Sequence, residues 1–171
     1  RPNSVINLSG AGDITLLPPA WSDEILAAGF AQYADGHLTQ NVTLVLEINL
    51  GTHIIRGNVV LTAASTAGNT GLASLVSDLQ SAIDATVFTV VTSVSGSPAV
   101  GSTQTTDEIK VRLSDGRLLL TSAYPFIAKS GSVNANYLGF SQLASGDATS
   151  GKNYAVDAPA DGSKVNFGSL T

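Results

Sequence analysis

From Asn41 to Leu50 the sequence NVTLVLEINL alternates, placing Val42, Leu44, Leu46, Ile48 and Leu50 on one face. Thr43, Glu47 and Asn49 fall on the other, which is the two-residue period of a strand buried on one side. Such a face has to be buried against something. The nearest partner is the next apolar run, His53–Thr62 (HIIRGNVVLT), and Gly51-Thr52 between them reads as a hairpin turn. A second hairpin is marked further on. Ile109, Val111 and Leu113 alternate with Lys110 and Arg112, and Leu118 and Leu120 resume after Ser114-Asp115-Gly116-Arg117. Asp-Gly suits the type I′ turn, whose two central residues both need positive φ. Thr86–Val94 (TVFTVVTSV), β-branched and aromatic, predicts a further strand. Gly96–Thr106 follows it as a Gly/Ser/Thr/Pro loop.

One segment has the other period. Leu72, Leu75, Val76, Leu79 and Ile83 share one face at helical spacing, which predicts a helix over about 71–85. Asn69 or Thr70 is placed to cap it. Trp21–Gly36 (WSDEILAAGFAQYADG) predicts a second helix over about 22–33, with Asp23 and Glu24 in its first turn and Gly29 weakening it. Ser4–Leu8 and Asp13–Leu17 are short strand candidates, the second ended by Pro18-Pro19. The expected fold class is therefore α+β: mainly antiparallel, sandwich-like sheet with helices at about 71–85 and about 22–33.

A length of 171 residues suits one folded unit, taken as residues 1–150. Beyond Ser141 the chain turns to Gly, Ala, Ser, Asp and Thr without period, and 151–171 reads as a linker or seam. The two ends resemble each other. Asn3–Gly10 (NSVINLSG) overlays Gly162–Ser169 (GSKVNFGS), matching Ser4 with Ser163 and Asn7 with Asn166. Apolar Ile6 and Leu8 fall on Val165 and Phe167. One reading is chance between short β-prone segments. The other is a tandem array, in which 151–171 contains the first strand of the next repeat. The C-terminal segment would then pack on its own unit or complete the sheet of a neighbour.

Charge and composition exclude several classes. Eight Lys+Arg, scattered singly, against 13 Asp+Glu make no basic stripe for nucleic acid. Apolar stretches are broken by Thr, Asn or Glu too soon for a membrane span. The absence of cysteine removes disulfides, thiol catalysis and thiolate metal sites. A cysteine-free, Lys-poor chain rich in Thr, Ser, Gly and Asp has the composition of long bacterial secreted or surface proteins. The chain opens on Arg1-Pro2 and contains no Met, so it is expected to be part of something longer.

No enzyme is expected. His37 and His53 exist beside many Ser and Asp, but no Gly-x-Ser-x-Gly elbow frames a nucleophile. Asp107 and Glu108 are strand neighbours that would face opposite ways, whereas a glycosidase needs paired carboxylates across a cleft. Neither a dinucleotide fingerprint nor a phosphate loop occurs, and Gly68–Gly71 reads as helix initiation. Calcium is the most plausible ligand, because ten of the 13 acids are Asp. Asp157 and Asp161, with neighbouring carbonyls, are the candidate ligands at the seam, while Asp13, Asp35 and Asp115 are explained by turns. Trp21, Phe30 and Tyr33 are expected to complete the core. Alternatively Trp21, Tyr33 and Tyr124 stack on a sugar ring, which an exposed coplanar pair beside Asp or Asn would favour.

Four stretches carry a family resemblance: Leu61–Ala64, Leu75–Ala85 (LVSDLQSAIDA), Gly116–Ser122 (GRLLLTS) and Leu138-Gly139-Phe140. In this order they resemble a repeat unit of very large bacterial secreted and surface adhesin-like proteins associated with RTX (haemolysin-type calcium-binding) repeats. The unit is similar to the IN motif of flagellar hook proteins. The resemblance covers Leu38–Phe140, and Trp21–Gly36 looks like an addition to the simplest units. Its motifs are core and turn residues, so it implies a fold and no catalytic position. It implies an extracellular structural or adhesive module whose partners are neighbouring repeats, surface glycans or another cell surface. A ligand-binding module and a flagellar hook- or cap-associated domain are the alternatives.

Overall fold

The alternating runs pair as a hairpin. The structure is a computed structural model that describes residues 21–129 and 131–140, and the backbone pairing of 13–14 with 165–166. Strands β3 (Val42–Asn49) and β4 (His53–Leu61) run antiparallel from Val42↔Leu61 to Asn49↔Ile54. The Asn49 side-chain carbonyl accepts the Gly51 N–H at 3.0 Å, and the Leu50 N–H donates to the His53 carbonyl at 2.9 Å. Val42, Leu44, Leu46 and Ile48 are buried together with Ile55, Val59 and Leu61. Gly57 interrupts the apolar row on β4 for a packing reason: a Cβ there would stand 2.6 Å from Cδ1 of Phe88. The Phe88 ring, fully buried, fills that space instead.

The remaining elements complete the sheet. Strand β5 (Phe88–Ser93) pairs with β4, and the short β6 (Thr103–Gln104) pairs with β5. Strands β7 (Ile109–Ser114) and β8 (Arg117–Ala128) form the second hairpin, with φ of 50° at Asp115 and 74° at Gly116, as its Asp-Gly turn requires. Strand β2 (Ser22–Leu26) lies on β8, giving the order β2-β8-β3-β4-β5-β6 with β7 also on β8. Thus β8 carries β2 along one edge. Its other edge takes β7 over its first half and β3 over Phe126–Ala128. Between these halves Ala123, Tyr124 and Pro125 are exposed within β8, where its register against β2 jumps from Thr121 to Phe126. Pro125 has no N–H to offer a ladder, which suits the break.

Helix α1 (Ala63–Thr66) is a single turn capped by Thr62, whose hydroxyl accepts the Ser65 N–H at 3.1 Å. Helix α2 (Leu72–Asp84) covers β4 and β7 and buries Leu75, Leu79 and Ile83 completely. Each of those side chains contributes roughly 1.5–3 kcal/mol by leaving water. Gly71 is its N-cap and no side chain caps it, so neither Asn69 nor Thr70 does what the sequence predicts. Asn69 is drawn away: its amide donates to the Gly36 carbonyl at 3.0 Å and to Asp78 at 2.8 Å.

The expected helix over 22–33 is a strand followed by a loop. Two causes outweigh the helical cues. Strand β8 would otherwise leave a ladder edge open, and Glu24, Ile25 and Leu26 fill it opposite Thr121, Leu120 and Leu119. The buried residues Ile25 and Ala27 are two apart, at strand spacing. Beyond them the Gly29 N–H donates to the Gly139 carbonyl at 2.9 Å. Gly139 has φ of 84°, and a Cβ on it would lie 2.3 Å from the Gly29 oxygen. That approach leaves no room for a helix's sheath of side chains.

The fold is thus α+β and dominated by antiparallel sheet, with α2 as its main helix. A separate two-stranded ribbon joins β1 (Asp13–Ile14) to β9 (Val165–Asn166) of the same chain, in the register Asp13↔Asn166 and Ile14↔Val165. Ser4–Leu8 and the remainder of 151–171 lie outside the described residues.

Candidate functional site

Among the described residues the three candidate stacking residues form no ring stack with one another. Trp21, 36 % exposed, precedes β2; Tyr124, 37 %, sits at the register irregularity of β8; Tyr33, 41 %, lies between β2 and β3. Phe30 is 69 % exposed, lying against the Gly116 turn. The expectation that Trp21, Phe30 and Tyr33 complete the core is therefore wrong. The close approach of Gly29 to Gly139 and the pairing of Ile25 and Ala27 into the core leave these rings outside.

Tyr33 does acquire a partner. Its ring stacks on His37 with centroids 4.2 Å apart and planes 8° off parallel. His37 Nδ1 lies 2.6 Å from Asp35 Oδ1, and the His37 backbone N–H donates to the same oxygen at 3.1 Å. These bonds, the backbone N–H first and the ring second, hold the Asp35 carboxyl below the usual carboxylate range. The loop is pinned to its surroundings. The Gln32 N–H donates to the Tyr137 carbonyl at 2.8 Å, Thr39 donates to Gln32 Oε1 at 3.1 Å, and Asn69 holds the Gly36 carbonyl. The two rings thus cover one face of each other, beside the Asp35 carboxylate. Tyr33 and Asp35 are separate candidates in the sequence, which does not show that Asp35-Gly36-His37 turns the imidazole onto the tyrosine ring.

The other polar candidates hold the fold. His53 donates from Nε2 to Gln104 Oε1 at 3.1 Å and accepts the Thr52 hydroxyl at Nδ1 at 2.9 Å, tying β4 to β6. Asp107 and Glu108 lie in the loop leading into β7. Gln80 on α2 donates to the Ile109 carbonyl at 3.0 Å and accepts the Val111 N–H at 2.8 Å. Its carboxamide takes the place of a strand on the edge of β7 that β8 does not use. Buried Thr66 accepts the Leu38 N–H at 2.9 Å, and Ser132 accepts that of Val45 at 3.0 Å.

Glu47 departs most from its expected place. The alternation puts it on the polar face, yet it is 5 % exposed. It is ion-paired to Arg56, its cross-strand partner, with Lys129 Nζ at 4.0 Å from its other oxygen. Counting back from the Gly51-Thr52 turn already sets Glu47 opposite Arg56, so the pair was legible in the register. Beside it an open groove of about 300 Å³ is lined by Arg56, Gly57, Asn58, Val87, Thr89 and Val91. The core holds a gap of about 10 Å³ between Ile25, Leu44, Leu120 and Phe140, too small and apolar for a ligand.

Among the described residues no group of three or more His, Asp or Glu is gathered to hold a metal ion. Asp157 and Asp161, the candidate calcium ligands, lie outside the described residues. Among the described residues no helix is long and apolar enough to cross a membrane. The chain matches no protein-family model, no curated protein and no solved structure.

Proposed function

We propose that this chain is a non-enzymatic structural module of a long extracellular bacterial surface or secreted protein, contributing spacing or attachment. The observation that carries the reading is where its polar side chains go. Gln80, His53, Thr66, Ser132, Asn69 and the Glu47–Arg56 pair each fasten one backbone element to another. A set of groups converging on a reacting atom would look different. The cysteine-free, weakly charged composition and the resemblance to adhesin-like repeats point the same way. Calcium at Asp157 and Asp161 belongs to this reading as a device that stiffens the joint between modules.

An antibody raised against this chain tests it in the producing bacterium. Labelling of intact cells or of the culture medium is expected. Antigen confined to the cytosol would overturn the reading. A second reading, a carbohydrate-binding module, is favoured by the Tyr33–His37 stack beside Asp35. Glycan-array binding that Tyr33→Ala abolishes would establish it.

A further inference from the structure

We propose that β1 is the strand through which successive copies of this chain join. In an array it would hold residues 3–10 of the next copy, in the seat that β9 occupies here. The proposal deepens the tandem-module reading and rests on it. Two independent observations meet. The register pairs Asp13 with Asn166 and Ile14 with Val165. The overlay of the chain ends puts Asn166 on Asn7 and Val165 on Ile6, with Ser163 on Ser4 and Phe167 on Leu8. The segment lying on β1 is thus the one that repeats the start of the chain. An antiparallel ladder is read through the backbone, so a segment with the same apolar and polar order takes the same seat. The partner is a second copy of this chain, and each junction leaves no open edge on β1's inner side. Among the described residues the hydrophobic core runs from Ile25 to Phe140, and β1 and β9 form a ribbon separate from the main sheet.

The test uses a chain shortened to residues 12–156, which retains that core, and a fluorescent peptide of residues 1–11. The peptide is expected to bind the shortened chain, and an unlabelled peptide of residues 160–171 to displace it. Ile6→Pro in the peptide should weaken binding at least roughly tenfold, because proline removes a ladder donor and clashes with its neighbour. Binding of the 160–171 peptide without the 1–11 peptide would overturn the equivalence of the two ends. Binding of neither would overturn β1 as a docking strand. The full chain with Val165→Pro gives a second measurement that needs no truncation. Its mass by light scattering should rise with concentration as copies link head to tail, and deleting residues 1–11 should return it to monomer. A monomer at all concentrations refutes the exchange. Either negative result leaves the antibody localisation, and so the extracellular reading, standing or falling by itself.

Discussion

Replacing Gln80 with Ala isolates one contact whose worth follows from the geometry. The carboxamide satisfies the Ile109 carbonyl and the Val111 N–H, on residues that are 0 % and 7 % exposed. Truncation leaves both backbone groups without a partner. A stranded buried polar group costs about 1–3 kcal/mol, so the pair amounts to about 2–6 kcal/mol, the lower half applying if water follows the deletion. Alanine is the better helix former, so helix propensity works slightly against the loss and cannot cause it. For a chain of this length about 3 kcal/mol lowers Tm by roughly 6–12 °C. Urea unfolding of Gln80→Ala measures the energy, and hydrogen exchange at the Val111 amide locates it. Asp84→Ala, which removes only the exposed Gln80–Asp84 contact, should stay within about 0.5 kcal/mol of the parent. If Gln80→Ala is as mild as Asp84→Ala, and the Val111 amide exchanges no faster, the side chain does not stand in for a strand.

Gly139→Ala should destabilise by at least about 3 kcal/mol, since it joins a positive φ to a Cβ only 2.3 Å from the Gly29 oxygen; chemical denaturation reads it. Arg56→Ala should cost about 2–3 kcal/mol, more than Glu47→Gln, because it leaves a carboxylate that is 5 % exposed with Lys129 at 4.0 Å in place of its close ion pair; a urea series on both variants decides the order. The depressed Asp35 carboxyl contributes stability that is present above its ordinary range near pH 4 and lost as pH falls through its lowered value. Asp35→Asn should therefore flatten the acid limb of a pH–stability curve; an unchanged limb would refute the assignment. If Asp157 and Asp161 bind calcium, saturation to about 100 Kd raises stability by roughly 2.7 kcal/mol over the EDTA-treated chain, and no change in Tm removes them as ligands.

Much of the sheet was legible in local pattern. The Asn41–Leu50 alternation and the Asp115-Gly116 turn specify their hairpins because each partner lies within a short stretch of chain. Helix α2 was legible for the same reason, since Leu75, Leu79 and Ile83 repeat within one element. What failed was non-local. Trp21–Gly36 has helical cues, and only the open edge of distant β8 makes it a strand. Asn69 looks like a cap until Gly36 and Asp78 are brought beside it. The Tyr33–His37 stack depends on how a turn closes, which residue types alone do not fix.

The position of β8 in the chain imposes a timetable. As the chain is synthesised from its N-terminus, β3 and β4 can close on each other at once. Strand β2, made earlier, waits for its partners Leu119–Thr121, almost a hundred residues further on. Among the described residues, the strand pairing that joins β2 and β7 to the rest of the sheet passes through β8. Closing so long a loop adds little to its equilibrium cost yet slows the search for it. Until β8 arrives, β3 to β6 can form a sheet beside α2, while β2 and β7 wait without their strand partner. Strand β8, at Arg117–Ala128, therefore decides when the sheet is joined into one.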